Sequence, residues 1–533
     1  MQTNIREWNV EDGAFWERKG KSVAVKNLAI SIPALLLAFA VWIMWSIVAT
    51  KLKEFGFNFG MITPDMTHDQ VNETLKQINS LYYTLPAIAG LAGATLRIPN
   101  SFLIAISGGR NVIFVTTALL LIPAVGVGFA LSDIRTPYMT FAVLAALSGF
   151  GGGNFASSMS NISYFFPKRV QGASLGMNAG IGNLGVGVMQ KAIPWAVGIF
   201  LFSAAGPDGA SVSGTALSGI QNAGWIWVVP LAVVTVAALL FMNNVITGTP
   251  GMPSSIPAMI KTLYLVAIGT LTSGVGAYLL VGLKVNMWVV LPLVVALTLI
   301  LMKYATPKEM QGSLNRQFAI FKSRHNWVMT IIYTMTFGSF IGFSAAFPKL
   351  CQDIFVYTDP SNPAYRNPHA PDFLMWVFLG PVLGALIRPV GGWLSDKVNS
   401  GAKVTAVSTV LQIAATFAVA YFIKAAKGSP TPEAYWWPFF GMFMILFMTT
   451  GIGNGSTFRS IPYIFSKELA GPVLGWTSAI AAYGAFIIPK IFGQQIAAGT
   501  PEYALYGFGA YYIVCLVLNW WYYQRPGAEI RNP

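Results

Sequence analysis

Charge is scarce in this sequence. Of its 533 residues only 10% are charged, 33 Lys or Arg against 19 Asp or Glu, where a soluble domain carries about 25%. Hydrophobic residues make up 55% of the chain and the mean hydropathy is +0.59. Such a chain cannot clothe itself in polar surface, so a polytopic membrane protein in a lipid bilayer is expected. The net charge of +14 is then no sign of nucleic-acid binding, because a membrane protein gathers Lys and Arg in the loops on one side. Cysteine and histidine are almost absent, with two and three copies. Cys351 and Cys515 lie in apolar surroundings, too few for a disulfide framework and too isolated for a metal site. His68, His325 and His369 read as loop or span-edge residues. No nucleophile–base pair or cofactor loop is evident, so neither an enzyme nor a bound cofactor or metal is expected. A signal peptide is not expected either: the first 25 or so residues are polar and the next apolar run is too long for an h-region.

What is present is a series of apolar runs of about 20 residues, each a candidate span. They fall at roughly 28–50, 79–104, 111–132, 137–162, 172–203, 223–245, 261–282, 286–303, 327–350, 373–394, 402–423, 436–463, 472–497 and 503–524, which makes fourteen spans. Residues 1–27 read as an interfacial segment, with Trp8, Phe15 and Trp16 among charges. Arg6, Arg18, Lys168, Arg169, Lys303, Arg324, Lys397, Lys403 and Arg525 all fall on the side of the termini. Asp65, Asp69, Glu73, Asp133, Asp208, Asp359 and Glu502 fall on the other. The positive-inside bias makes the first side the cytoplasm.

Glycine is abundant, with 53 copies. It concentrates in 171-QGASLGMNAGIGNLGVGVMQK-191, where Gly176, Gly180, Gly182, Gly185 and Gly187 leave little bulk and let helices approach closely. The run returns as 470-AGPVLGWTSAIAAYGAFIIPK-490, pairing Gly176 with Gly475, Gly185 with Gly484 and Lys191 with Lys490. The preceding segment returns as well, 151-GGGNFASSMSNISYFFPK-168 against 451-GIGNGSTFRSIPYIFSK-467. Two similar membrane halves, 28–246 and 327–524, point to a transporter with its substrate site between them. The stretch 247–326 becomes an inserted two-span hairpin with a linker, and 525–533 a cytoplasmic tail. The hairpin carries no buried charge, which suggests a peripheral packing role. Gly176, Gly180, Gly185 and Gly484 are the candidate gating and helix-packing positions.

Two arginines fall inside spans, Arg97 in 91-LAGATLRIPNSFLI-104 and Arg388 in 383-LGALIRPVGGWL-394. A charge at a helix centre costs about 2.5–3.5 kcal/mol on insertion scales and marks a functional site. The two occupy equivalent spans of the two halves, so the repeat would bring them face to face. All 19 acidic residues read as belonging to loops, tails or span ends. The counter-ion of the arginine pair must then be the substrate, an anion suited to the planar guanidinium fork. Lys191 and Lys490 read as interfacial, Arg459 as near the cytoplasmic mouth, and Asn178 as interhelical glue.

Six spans, two more and six again match the plan of the major facilitator superfamily, as do the loops 107-SGGRN-111 and 391-GGWLSDKVNSGAK-403, although the first lacks the acidic residue. The glycine-rich run, its repeat, 154-NFASSMSNISYFFPK-168, 333-YTMTFGSFIGFSAAF-347 and 8-WNVEDGAFWERKGKSVAVKNLAISIP-33 resemble the nitrate/nitrite porters of that superfamily. The resemblance covers the chain apart from the inserted hairpin. It implies an all-α integral membrane fold and an anion clamped by Arg97 and Arg388. It also implies a pocket using Phe155, Asn183, Tyr333, Phe337, Gly475 and Ser478. Its partners would be nitrate and nitrite, its location the bacterial inner membrane with both termini cytoplasmic, and its state a monomer. The missing intramembrane carboxylate favours nitrate/nitrite exchange over proton-coupled nitrate import. An anion channel would not need a repeat of glycine-rich helices, and a membrane sensor would carry an output domain.

Overall fold

The computed structural model describes residues 4–5, 7–198, 211–212, 215–216, 219–245, 255–357, 366–465 and 467–533. Arg6, Asp208, Asp359, the end of the predicted span 172–203, the start of the predicted hairpin segment at 247 and the side chains of Lys168 and Arg169 lie outside the described residues. In chain order the long helices are α1 (Gly13–Glu54), α2 (His68–Ser107), α3 (Gly109–Ala130), α4 (Tyr138–Ile162), α5 (Lys168–Val197) and α6 (Asn222–Phe241). Then follow α7 (Ser255–Val281), α8 (Met287–Tyr304), the polar linker helix α9 (Lys308–Gln317), α10 (Arg324–Val356), α11 (Phe373–Lys397), α12 (Gly401–Lys427), α13 (Pro432–Ile464), α14 (Pro472–Ala497) and α15 (Glu502–Gln524). Thirteen of these are long and apolar enough to cross a membrane. The glycine- and amide-rich α5 is the fourteenth long helix; at 30 residues it spans about 45 Å, more than a hydrocarbon core.

The ends of the helices show why they start and stop where they do. Thr67 caps α2 with a reciprocal capping box to Gln70, satisfying two free backbone donors. Gly108 takes a positive φ of 80° between α2 and α3, which a side chain would resist. The first helix starts at Gly13 and continues through a wide turn at Trp16–Gly20 into the span, and the aromatic residues of this segment find partners on α4 and the turn after it. Trp8 donates to the Tyr164 carbonyl at 2.8 Å and Trp16 packs on Phe166. The backbone N–H of Gly401, at the start of α12, donates to the Pro533 carbonyl at 2.6 Å.

The internal repeat has a packing counterpart. Gly185 in α5 lies directly on the backbone of Leu36 in α1. Gly484, its partner in the repeat, lies on the backbone of Gly338 in α10. In each half, an aligned glycine seats the fifth span on the first.

The inserted hairpin packs on a helix central to the molecule. A Cβ at Gly269 in α7 would come within 2.8 Å of Leu96 and 3.1 Å of Pro99 in α2, and one at Gly276 within 3.1 Å of Leu91. Leu96 and Pro99 flank Arg97, so the hairpin braces the arginine-bearing helix. Replacing Gly269 with Leu should force α7 and α2 apart and cost about 1–3 kcal/mol, the usual range for overpacking. The check is a lowered midpoint for loss of the monodisperse peak on size-exclusion chromatography after heating.

Candidate functional site

Arg97 is held deep in α2 by a contact that glycine makes possible. The run Gly149, Gly151, Gly152 and Gly153 in α4 has no side chains to keep it off α2 and α1. A Cβ at Gly149 would fall 2.7 Å from the backbone of Ala92, and one at Gly152 2.5 Å from Gly93. This approach puts the Gly152 carbonyl 2.9 Å from Nε of Arg97. From the other half, the Ser478 carbonyl in α14 accepts from Nη1 at 3.3 Å. Trp42, anchored by its own donation to the Ala89 carbonyl at 2.7 Å, stands 5.4 Å from the guanidinium carbon.

Arg388 sits at a break in α11. The helix runs over Leu379–Leu386 and resumes at Arg388–Lys397, because Pro389 has no N–H and its ring crowds the preceding turn. In α10, a single wide turn over Thr334–Gly338 interrupts the regular helix, a feature frequent at functional sites. That turn carries Phe337, whose ring lies 5.0 Å from the Arg97 guanidinium and 5.4 Å from that of Arg388. Phe155 closes over Arg97 at 4.8 Å and Phe340 over Arg388 at 4.2 Å. The electron-rich ring faces attract each cation.

Both arginines are buried, at 0% and 3% exposure. Yet Nη2 of Arg97 and all three side-chain nitrogens of Arg388 meet no hydrogen-bond acceptor among the described residues. The Tyr333 hydroxyl is likewise buried and outside hydrogen-bond geometry, although it interacts with Asn454 and faces both arginines. Buried donors on a charged group are costly unless an acceptor completes them. The arrangement is therefore suited to a small planar anion whose oxygens take the free N–H groups.

The pocket residues implied by the resemblance are brought together unequally. Phe155, Tyr333 and Phe337 surround the arginine pair. Phe155 and Phe337 are stacked on each other at 5.8 Å and 21°, so a flat anion lying between them would have to part them to about 7 Å, two van der Waals contacts. Ser478 contributes its carbonyl; its hydroxyl donates into its own helix, to Gly475 at 2.9 Å. A Cβ at Gly475 would come within 3.0 Å of Ser101 of α2, one turn from Arg97. Asn183 is fully buried and donates to the Ala179 carbonyl at 2.6 Å, which leaves Oδ1 without a partner. Asn178 donates to Ser158 at 2.9 Å, a link between α5 and α4.

One acidic residue at a span end is nevertheless buried. Asp353, in the last turn of α10, is 1% exposed. It is neutralised by Lys53 and Lys349 rather than by the arginines, which is why a buried carboxylate coexists with an uncompensated arginine pair. The glycines differ in what surrounds them. A Cβ at Gly176 would meet nothing within 4 Å among the described residues, and one at Gly180 the Ala385 carbonyl at 3.8 Å. At Gly185 and Gly484 it would meet the backbones of Leu36 and Gly338, each from the same half. Gly187, of the same run, faces the other half, where a Cβ would lie 3.0 Å from the Phe378 carbonyl. Sequence reasoning missed Trp42, Phe340 and Asn454. Asn454 was legible as the repeat of Asn154, and Phe340 as one turn from Phe337; Trp42 had no local signal.

A helical bundle of this topology around a buried cationic centre defines a transporter. A similar fold is seen in the inward-open xylose transporter XylE of Escherichia coli, with a TM-score of 0.57 at 10% identity over 95% of this chain and 98% of that one. No protein-family model matches the chain. It is 34% identical to the nitrate/nitrite transporter NarU of Escherichia coli, over 98% of this chain and 96% of the relative. It is also 34% identical to the probable nitrate/nitrite antiporter NarK2 of Thermus thermophilus, over 99% and 98%. A more distant relative is the nitrite extrusion protein of Bacillus subtilis, 24% identical over 82% of this chain and 84% of the relative. The chain belongs to the nitrate/nitrite transporter family of the major facilitator superfamily.

The two glycine environments predict opposite outcomes. Gly176→Leu should leave folding unchanged, because the new side chain enters open space. Gly185→Leu should cost about 3 kcal/mol or more, because it meets the Leu36 backbone. The yield of folded protein and its thermal midpoint, measured for both variants, check this.

Proposed function

We propose that this protein exchanges nitrate for nitrite across the bacterial inner membrane by alternating access, with the anion clamped between Arg97 and Arg388. The observation that carries the reading is the pair of buried guanidinium groups beside Phe337, with free N–H donors and no carboxylate partner among the described residues. Nitrate and nitrite are planar, delocalised and singly charged. They suit guanidinium edges and aromatic faces better than a compact ammonium site would. One monovalent anion neutralises half of the pair's charge. An empty carrier would have to move with two bare arginines facing each other, so movement in either direction favours the loaded state. That is the basis for exchange. The names of the relatives, nitrate/nitrite transporters and an antiporter, support the same substrates.

In this reading 28–246 rocks against 327–524, and Asn183, Gly475 and the Ser478 carbonyl complete the pocket. Lys and Arg in the loops on the side of the termini make that side the cytoplasm. The same fold could import nitrate with protons, but that needs a titratable group on the path. Asp353 is engaged by two lysines and Tyr83. Tyr83 lies about 21 Å along α2 from Arg97 at 1.5 Å per residue.

The test is uptake of isotopically labelled nitrite into proteoliposomes with or without internal nitrate, at equal pH and under a proton gradient. Uptake that requires internal nitrate and ignores the gradient is expected. Gradient-driven uptake into empty vesicles would refute exchange. Arg97→Lys and Arg388→Lys should each lower the exchange rate at limiting anion by about 100-fold or more, because an ammonium cannot reproduce the planar fork.

A further inference from the structure

A second buried charge cluster lies far from the arginine pair, toward the face opposite the termini. Lys53 is in the last turn of α1, Asn79 and Tyr83 in α2, and Lys349 and Asp353 at the end of α10. Lys53, Lys349 and Asp353 are each 1% exposed. Asp353 Oδ1 accepts from Lys53 at 2.9 Å and from Lys349, while Oδ2 accepts from Tyr83 at 2.7 Å. Asn79 Oδ1 accepts from both lysines, at 2.9 and 3.3 Å. The Lys53 ammonium also lies 4.2 Å from the Tyr357 ring, and Gln352 donates to the Thr50 carbonyl at 3.3 Å. The cluster thus ties the first two spans of one half to the first span of the other.

Among the described residues that share Asp353 there are two ammonium groups for its one carboxylate. When the halves part at this face, Lys349 and Asp353 stay together, because they are one turn apart on α10. Lys53 leaves with α1. It keeps Asn79, from its own half, and loses Asp353 and Tyr357. A cation withdrawn from its carboxylate at the mouth of an opening cleft attracts a replacement anion, and the anion that passes through this cleft is the transported one. We propose that Lys53 is a second anion-binding position on the path, held by Asp353 while this face is closed and occupied by the transported anion when it opens. Nitrate or nitrite would release Asp353's hold on Lys53 and then move inward to the arginine pair. This rests on the exchange reading above, and the experiment separates the two.

Cys351, buried and within electrostatic reach of Tyr83, is a native reporter of the seal. Full-length Cys515→Ala protein in vesicles would be labelled with a charged, membrane-impermeant methanethiosulfonate. Adding Asp353→Asn should speed Cys351 labelling about tenfold or more, since a charge-assisted bond is lost. Tyr83→Phe, a milder change that keeps the fold if Asp353→Asn does not, should speed it less. Labelling no faster in either would overturn the seal. In right-side-out and inverted membrane vesicles, Lys53→Gln should raise the nitrate concentration for half-maximal exchange about tenfold at the face opposite the termini. It should leave the other face unchanged, and Lys53→Arg should restore the first. Equal effects on both faces, or none, would overturn the anion position while leaving exchange standing. If the unsubstituted chain exchanges neither anion, the exchange reading falls and this proposal with it.

Discussion

Two like charges in a medium that solvates them poorly repel strongly, and the rest of this structure is arranged around that constraint. Arg97 and Arg388 are both buried and both lean on Phe337. The ring face offsets part of the cost of desolvation. The remainder is left uncompensated, because no carboxylate of the described residues pairs with either arginine. A centre built this way is not optimised for the stability of the empty protein. It leaves a demand for an anion, which the proposed reading meets with the substrate.

Holding two arginines in place without acidic partners falls to backbone and packing. The Gly152 and Ser478 carbonyls take two donors of Arg97, one from each half. The first is reachable only because the glycines of α4 allow α4 and α2 to touch. The proline break positions Arg388 at a helix start, and the wide turn in α10 aims Phe337 between the two. The hairpin α7–α8 stiffens α2 from behind, against Leu96 and Pro99. It braces the helix that carries Arg97.

Charge is handled in opposite ways at the two levels of the molecule. At the centre the arginines have no acidic partner among the described residues, and in the proposed reading the transported anion completes them. At the far end of α1, two described lysines share the Asp353 carboxylate, along with Asn79 and Tyr83, across the junction between halves. A contact of this kind holds firmly when closed and leaves a cation exposed when open. Sites that bind the same anion in succession need not be chemically alike. A lysine, a mobile point charge, suits transient capture, whereas the arginine fork suits a defined geometry.

Much of this was legible in the chain itself. Apolar run lengths determined the fourteen long helices, since only a helix satisfies its own backbone in lipid. The cost of a buried charge marked Arg97 and Arg388 without reference to any neighbour, and the repeat paired them. What the sequence could not determine were relations between distant segments. Asp353 reads as a span-end residue until the fold places Lys53 beside it, some three hundred positions away in the chain. Gly176 and Gly185 are indistinguishable as letters in one run, but one faces open space and the other the Leu36 backbone. Trp42 became part of the site only because α1 crosses behind Arg97. Helix formation and burial cost are local properties of a segment. Which face of a helix meets which partner is set by the packing of the whole bundle, and only the tertiary structure decides it.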